Sequence, residues 1–180
     1  CGPCKMLSAN VFTREDVGNQ FNRDFVNVKY DMEKDADGVI LKNTFDVKAF
    51  PTLVFVDPNT RQVVHKMVGA GSAEWLMEGG KIANDPRNNL SGLTMRYDAG
   101  ERSVDLLSRY LNALASAYMQ EKQGAVAAEY LNALSDDEIV TKENWDLIKK
   151  NVSDPLSKPL RQVMANIGRF YEVAGKEVVD

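Results

Sequence analysis

Cysteine and histidine are nearly missing from this chain, which holds two cysteines, Cys1 and Cys4, and one histidine, His65, in 180 residues. Two cysteines are too few for the disulfide framework of a small secreted scaffold, and a pair three apart cannot cross-link distant parts of a fold. A structural zinc site wants four ligands, and two thiols plus one mid-chain imidazole do not supply them. Long apolar runs are missing too: no stretch approaches the roughly 20 residues of a membrane-spanning helix. No basic, apolar leader stands ahead of Cys1, so any export signal is expected upstream. Charge of one sign is not in excess: 22 Lys and Arg against 26 Asp and Glu give a formal charge of -4. That balance gives no reason to expect nucleic acid or an anionic membrane as partner. What is present is an ordinary globular composition, 44% hydrophobic and 27% charged, in a length that suits one large domain or a small domain with an appendage.

The hydrophobic pattern divides the chain. Met6, Leu7, Val11, Phe12, Val17, Phe21 and Phe25 suggest one helix over 4–25, broken near Phe12, with Thr13 before Glu15 and Asp16 as a restart signal. "FVNVKYD" (25–31) alternates and is rich in β-branched and aromatic residues, which predicts a strand. "GVILKNTF" (38–45) reads as a short helix. "PTLVFVD" (51–57), the turn residues "DPNTRQ" and "VVHKMVG" (63–69) predict a β-hairpin whose first strand is covered on both faces. A helix follows over 73–83.

Residues 84–100, rich in Asn, Asp, Gly and Pro, read as a linker or loop. Beyond it the pattern is helical only: 101–122, 125–134 after Gly124, 143–150 behind the capping sequence "SDDE", and 158–175. Leu111, Leu114, Ala115, Tyr118, Ala127, Leu131 and Leu134 follow the small-and-large pattern of a tetratricopeptide-like hairpin, and Trp145 and Ile148 stand 34 residues after Leu111 and Leu114. The match decays at Arg161 and Ala165, which leaves a tandem repeat and a generic helical pack both open. The expected domains are 1–83, an α/β unit, and 101–180, an all-α unit.

The chemistry is concentrated in "CGPCK" (1–5). A dithiol switch needs one sulfur that is partly thiolate and a second within reach. A helix starting inside this stretch would favour thiolate at Cys1 and place Cys4 one turn away. Pro3 suits a first helical turn, and Gly2 permits close approach by another chain. CxxC alone also occurs in zinc clips.

CGPC, then "FVNVKYD", then "AFPTLVFVD", in that order, resemble the thioredoxin family over about residues 1–83. The longer, charged stretch 10–35 is more similar to bacterial envelope thiol–disulfide interchange and disulfide-isomerase-like proteins. The resemblance implies an α/β thioredoxin-like fold in which Cys1 attacks a substrate disulfide, Cys4 resolves the mixed disulfide and Gly2 and Pro3 form the active-site turn. It implies that Pro51 is a cis-proline beside the disulfide and that the backbone of Phe50 pairs with substrate like an added strand. No metal or organic cofactor is implied. The expected partners are protein substrates with disulfides and an upstream thiol reductant or oxidant. The expected location is the cell envelope or periplasm, with the cytoplasm as the alternative.

The family also carries a strand directly before CxxC, and here nothing precedes Cys1, so the resemblance implies a chain truncated at its N-terminus. Simpler roles are expected elsewhere. His65 reads as a strand residue facing solvent or a neighbour, Trp75 and Trp145 as packing residues, and "EKDAD" and "SDDE" as a solvated loop and a cap. A lipidated N-terminal cysteine is the alternative for Cys1. The alternative for the whole chain is an interaction protein whose helical region binds a partner.

Overall fold

The computed structural model describes residues 1–176, which fall into two compact units: Cys1–Met95 with Ser116–Tyr118, and Arg96–Ala115 with Met119 onward. In the first unit, helix α1 (Gly2–Met6) opens at the CGPC turn with Cys1 as its N-cap and Pro3 in its first turn. It passes directly into a wider π-helical segment, Leu7–Val11, which buries Leu7 and Val11. Helix α2 (Glu15–Asp24) follows, with Glu15 and Asp16 in its first turn, where carboxylates suit the positive end of a helix. The expected helix broken near Phe12 is therefore present in these pieces.

Helix α3 (Ala36–Thr44) leads through a tight turn to β1 (Thr52–Val56) and β2 (Val63–Val68), a two-stranded antiparallel sheet that pairs Thr52 with Val68 and Phe55 with His65. The turn between them is held by the Asp57 carboxylate, which accepts from the Asn59 N–H at 2.8 Å. That is the Asx geometry for which Asp, Pro and Asn are suited. Helix α4 (Ala73–Ala83) follows, with the Ser72 hydroxyl accepting from the Trp75 N–H at 3.2 Å as its N-cap.

Two apolar clusters hold this unit. Leu7, Val11, Val17, Ala73 and Leu76 form the first, and Phe55, Met67 and Ala83, with Phe21 and Phe25 against them, form the second. Trp75 packs on both. The first face of the hairpin thus lies under α2 and α4. The opposite face carries Lys66, whose Nζ donates to the Asp46 carbonyl at 3.0 Å.

The strand expected at 25–31 does not form. Phe25 packs 5.2 Å from the Phe21 ring and 5.3 Å from the Phe55 ring, but Val26 is 95% exposed and Val28 74%. Alternation supplies a strand's side chains, but a strand exists only through ladder bonds to a neighbour. Among the described residues the sheet is β1 with β2, and no strand lies beside 25–31. The segment is tied instead by side chains: Asn27 Nδ2 donates to the Phe21 carbonyl at 3.1 Å and Lys29 Nζ to Ser8 Oγ at 3.2 Å.

Residues 84–100 hold a helix, α5 (Leu90–Asp98). The polar residues that read as a loop cap it: the Asn89 Oδ1 accepts from the Gly92 N–H at 2.9 Å, and Asn89 Nδ2 donates to the Ala83 carbonyl at 3.1 Å. His65, which is 4% exposed, accepts the Leu90 N–H on Nδ1 at 3.2 Å. The imidazole therefore faces a neighbouring backbone, and burial lowers its pKa from 6.5 to about 4.

The second unit is helical: α6 (Val104–Ser116), α7 (Gln120–Ala133), α8 (Lys142–Asn151), α9 (Lys158–Ala165) and α10 (Ile167–Ala174). Leu106, Leu107, Tyr110, Leu114, Leu131, Ile148 and Phe170 are almost fully buried. The break after α6 falls at 117–119, where Tyr118 takes a positive φ of 62°, and not at Gly124, which lies inside α7. Of the tetratricopeptide-like positions, Leu111, Leu114, Ala127 and Leu131 are buried, whereas Tyr118 is 51% exposed. The last expected helix is two, divided at Asn166, which caps both sides of the break.

Candidate functional site

Pro3 has no N–H to leave unsatisfied and its fixed φ suits a first helical turn, so the chain can enter α1 immediately after Cys1. That start brings Cys4 back beneath Cys1. The two are joined as a disulfide with Cα atoms 5.3 Å apart, an ordinary separation for such a bond. The Cys4 N–H donates to Cys1 Sγ at 3.3 Å. Cys1 is exposed and Cys4 only partly so, so Cys1 is the more accessible residue of the pair. A Cβ added at Gly2 would meet nothing within 4 Å. Nothing among the described residues therefore crowds that position.

The second wall comes from a segment 49 residues away. The loop after α3 folds back, its Val47 N–H donating to the Lys42 carbonyl at 2.9 Å and its Val47 side chain buried. This delivers the Phe50 backbone to Cys1: the Phe50 carbonyl oxygen lies 3.7 Å from Cys1 Sγ, and the Phe50–Pro51 bond is cis. Thr52 fixes the start of β1 by donating its hydroxyl to the Ala49 carbonyl at 2.7 Å. Of the residues singled out in the sequence, Cys1 and Cys4 are thus bonded in the turn that holds Gly2 and Pro3, and the Phe50 carbonyl, next to Pro51, lies against Cys1.

The electrostatics of this wall were not visible in the sequence. The Lys42 ammonium sits 5.5 Å from the centre of the Phe50 ring, within reach of a cation–π attraction. Lys48 pairs with the Asp46 carboxylate at 3.2 Å. Lys66 spends its Nζ on the Asp46 carbonyl, and burial holds its pKa below that of an ordinary lysine, against the opposing pull of Asp46. Lys42 and Lys66 therefore flank residues 46–50, which themselves carry Asp46 and Lys48. No spacing rule predicts the cluster, because its members come from a helix, a loop and a strand.

His65 stands apart from this chemistry as an acceptor for α5. Among the described residues no group of three His, Cys, Asp or Glu side chains is arranged to hold a metal ion, and no helix is long and apolar enough to cross a membrane.

No curated protein and no solved structure matches the chain. Among models of known protein families, Thioredoxin matches residues 1–79. That span contains the CGPC turn, the disulfide, the Phe50–Pro51 segment and the hairpin behind it. Residues 1–79 accordingly match the thioredoxin family and carry an N-terminal CXXC disulfide, Cys1–Cys4, and a helical region follows them.

Proposed function

We propose that this protein is a thiol–disulfide oxidoreductase acting on protein disulfides. The observation that carries the reading is an exposed Cys1 whose sulfur is bonded to Cys4 and placed 3.7 Å from the Phe50 carbonyl, which an extended substrate segment can adjoin. In the reduced form the Cys1 thiolate, favoured by the Cys4 N–H and the start of α1, attacks a substrate disulfide R–S–S–R′. The Cys1–S–S–R bond forms and R′S⁻ leaves. The Cys4 thiolate then attacks Cys1 Sγ, the Cys1–Cys4 bond forms and RS⁻ leaves. Two electrons have passed to the substrate, and an external thiol reductant restores the dithiol; the reverse sequence oxidises a substrate dithiol.

Phe50 and Pro51 are the substrate-binding residues in this scheme, and Gly2 and Pro3 shape the turn. The thioredoxin-type Gly-Pro insert favours reduction, and the likeness of residues 10–35 to envelope interchange and isomerase-like proteins favours a periplasmic setting. Trapping separates the two cysteines. With Cys4→Ser, a peptide disulfide is expected to accumulate as a mixed disulfide on Cys1; with Cys1→Ser none forms. Equal trapping by both variants would refute the assigned order.

A second role belongs to the helical unit. A hollow of about 370 Å³ is lined by α6, α7 and α8, with Leu111 and Leu147 beside Asp105, Glu143 and Asp146. This mixed lining supports a tetratricopeptide-like partner-binding module in the helical unit. Loss of binding to a partner after Leu147→Asp, with disulfide exchange retained, is the result it predicts.

A further inference from the structure

The Lys42 ammonium over the Phe50 ring has no carboxylate partner among the described residues. Its neighbour Lys48 is paired with Asp46, and Lys66 is committed to the Asp46 carbonyl. Lys5, one residue beyond Cys4 on α1, is exposed and also lacks an ion pair among the described residues. The surface around the disulfide and Phe50 therefore has cationic side chains that no carboxylate among the described residues neutralises.

We propose that Lys42 is a specificity-determining residue that selects substrates carrying acidic side chains close to the exchanging cysteine. The inference rests on the exchange reading above and adds a substrate class to it. The geometry works through Phe50. Its carbonyl touches Cys1 Sγ at 3.7 Å and its ring carries the Lys42 ammonium at 5.5 Å. An extended segment that passes Cys1 and runs along Phe50 advances about 3.3 Å per residue, so it reaches Lys42 within about four residues of its own cysteine. A carboxylate there meets a cation already held against an aromatic face and partly shielded from solvent. A lysine or arginine at the same place meets repulsion, which rejects it.

Half-exposed ion pairs are modest, so the preference of the native protein for an acidic over a basic flank is about five-fold in kcat/KM at low salt. It falls toward one as salt is raised.

The test uses three otherwise identical peptide disulfides with Asp, Asn or Lys at the second to fourth positions from the cysteine. The full chain, Lys42→Gln and Lys42→Glu are compared, with Arg61→Asn as a charge-matched control. Arg61 is exposed in the β1–β2 turn, at the opposite end of the hairpin from Pro51, and its φ of 58° suits asparagine. The Asp-to-Lys ratio is expected to drop to about one with Lys42→Gln, to invert with Lys42→Glu and to persist with Arg61→Asn. A ratio that neither Lys42 variant changes overturns the proposal. Failure of the exchange reading is seen separately, as no turnover of the Asn peptide by the native protein. Equilibrium binding of the same peptides with Ser in place of Cys then decides: equal affinity of the native protein for acidic and basic peptides overturns the Lys42 assignment, and an acidic preference that Lys42→Gln removes supports it.

Discussion

Acidifying the protein should loosen the first unit well before its carboxylates titrate, because of His65. The imidazole is 4% exposed, accepts the Leu90 N–H on Nδ1, and has its pKa lowered from 6.5 to about 4 by burial. Protonation also removes the lone pair that receives Leu90. A histidine whose pKa is depressed by folding binds its proton more readily in the unfolded chain, so its contribution is fully present above pH 6.5 and is lost as pH falls toward 4. With these two values, linkage gives a loss of about 2 kcal/mol between about pH 7.5 and about pH 5, approaching about 3 kcal/mol below the folded pKa. The lowered carboxylates of this unit, Asp16, Asp24, Asp57 and Glu74, act in the same direction, but only below their ordinary values of 3.8 to 4.5. The interval between pH 6.5 and 5 therefore belongs to the chain's single histidine. Urea unfolding followed by Trp75 fluorescence, in a Trp145→Phe background, measures it. The native protein should lose stability across that interval, and His65→Gln should start lower and stay flat. A native profile that is already flat, or a His65→Gln profile with the native slope, would refute the reasoning.

Two further outcomes follow from buried contacts. Asn144, 1% exposed, accepts the Tyr130 hydroxyl at 3.0 Å and donates to the Glu138 carbonyl at 2.9 Å. Asn144→Ala strands both partners and should cost about 2–4 kcal/mol, read from the urea midpoint of Trp145 fluorescence in a Trp75→Phe background; a loss under 1 kcal/mol, on the order of a surface change, would contradict it. Gly38, in the first turn of α3, faces the backbone carbonyl of Asp31 so closely that a Cβ has no room. Gly38→Ala should therefore destabilise the first unit by about 1–3 kcal/mol despite alanine's better helix propensity, as urea unfolding would register.

Legibility in the sequence followed how local the cause was. The β1–β2 hairpin was visible because a proline, an apolar run and an Asx turn are encoded within 19 consecutive residues, 51–69. The 25–31 strand was overread because Val26, Val28 and Tyr30 have a strand's pattern but lie beside no ladder partner, and pairing is a property of two segments. Gly124 was overread as a break: a glycine in a helix costs only about 1 kcal/mol, whereas the left-handed turn at Tyr118 left no compositional mark. Cys1, Cys4, Phe50 and Pro51 were reached through the CGPC and FPT motifs. Lys42 was not, because its place over the Phe50 ring depends on how the loop after α3 folds back, and no spacing within the chain encodes that.

The central claim is that the Cys1–Cys4 bond is a working two-electron couple. Equilibrating the protein against defined ratios of reduced and oxidised glutathione, with Cys1→Ser as the control, tests it most directly. The account predicts one reversible transition in the native protein, within the roughly -270 to -120 mV spanned by dithiol oxidoreductases, and none in Cys1→Ser. A Cys1–Cys4 bond that stays closed, or stays open, at every glutathione ratio would contradict it.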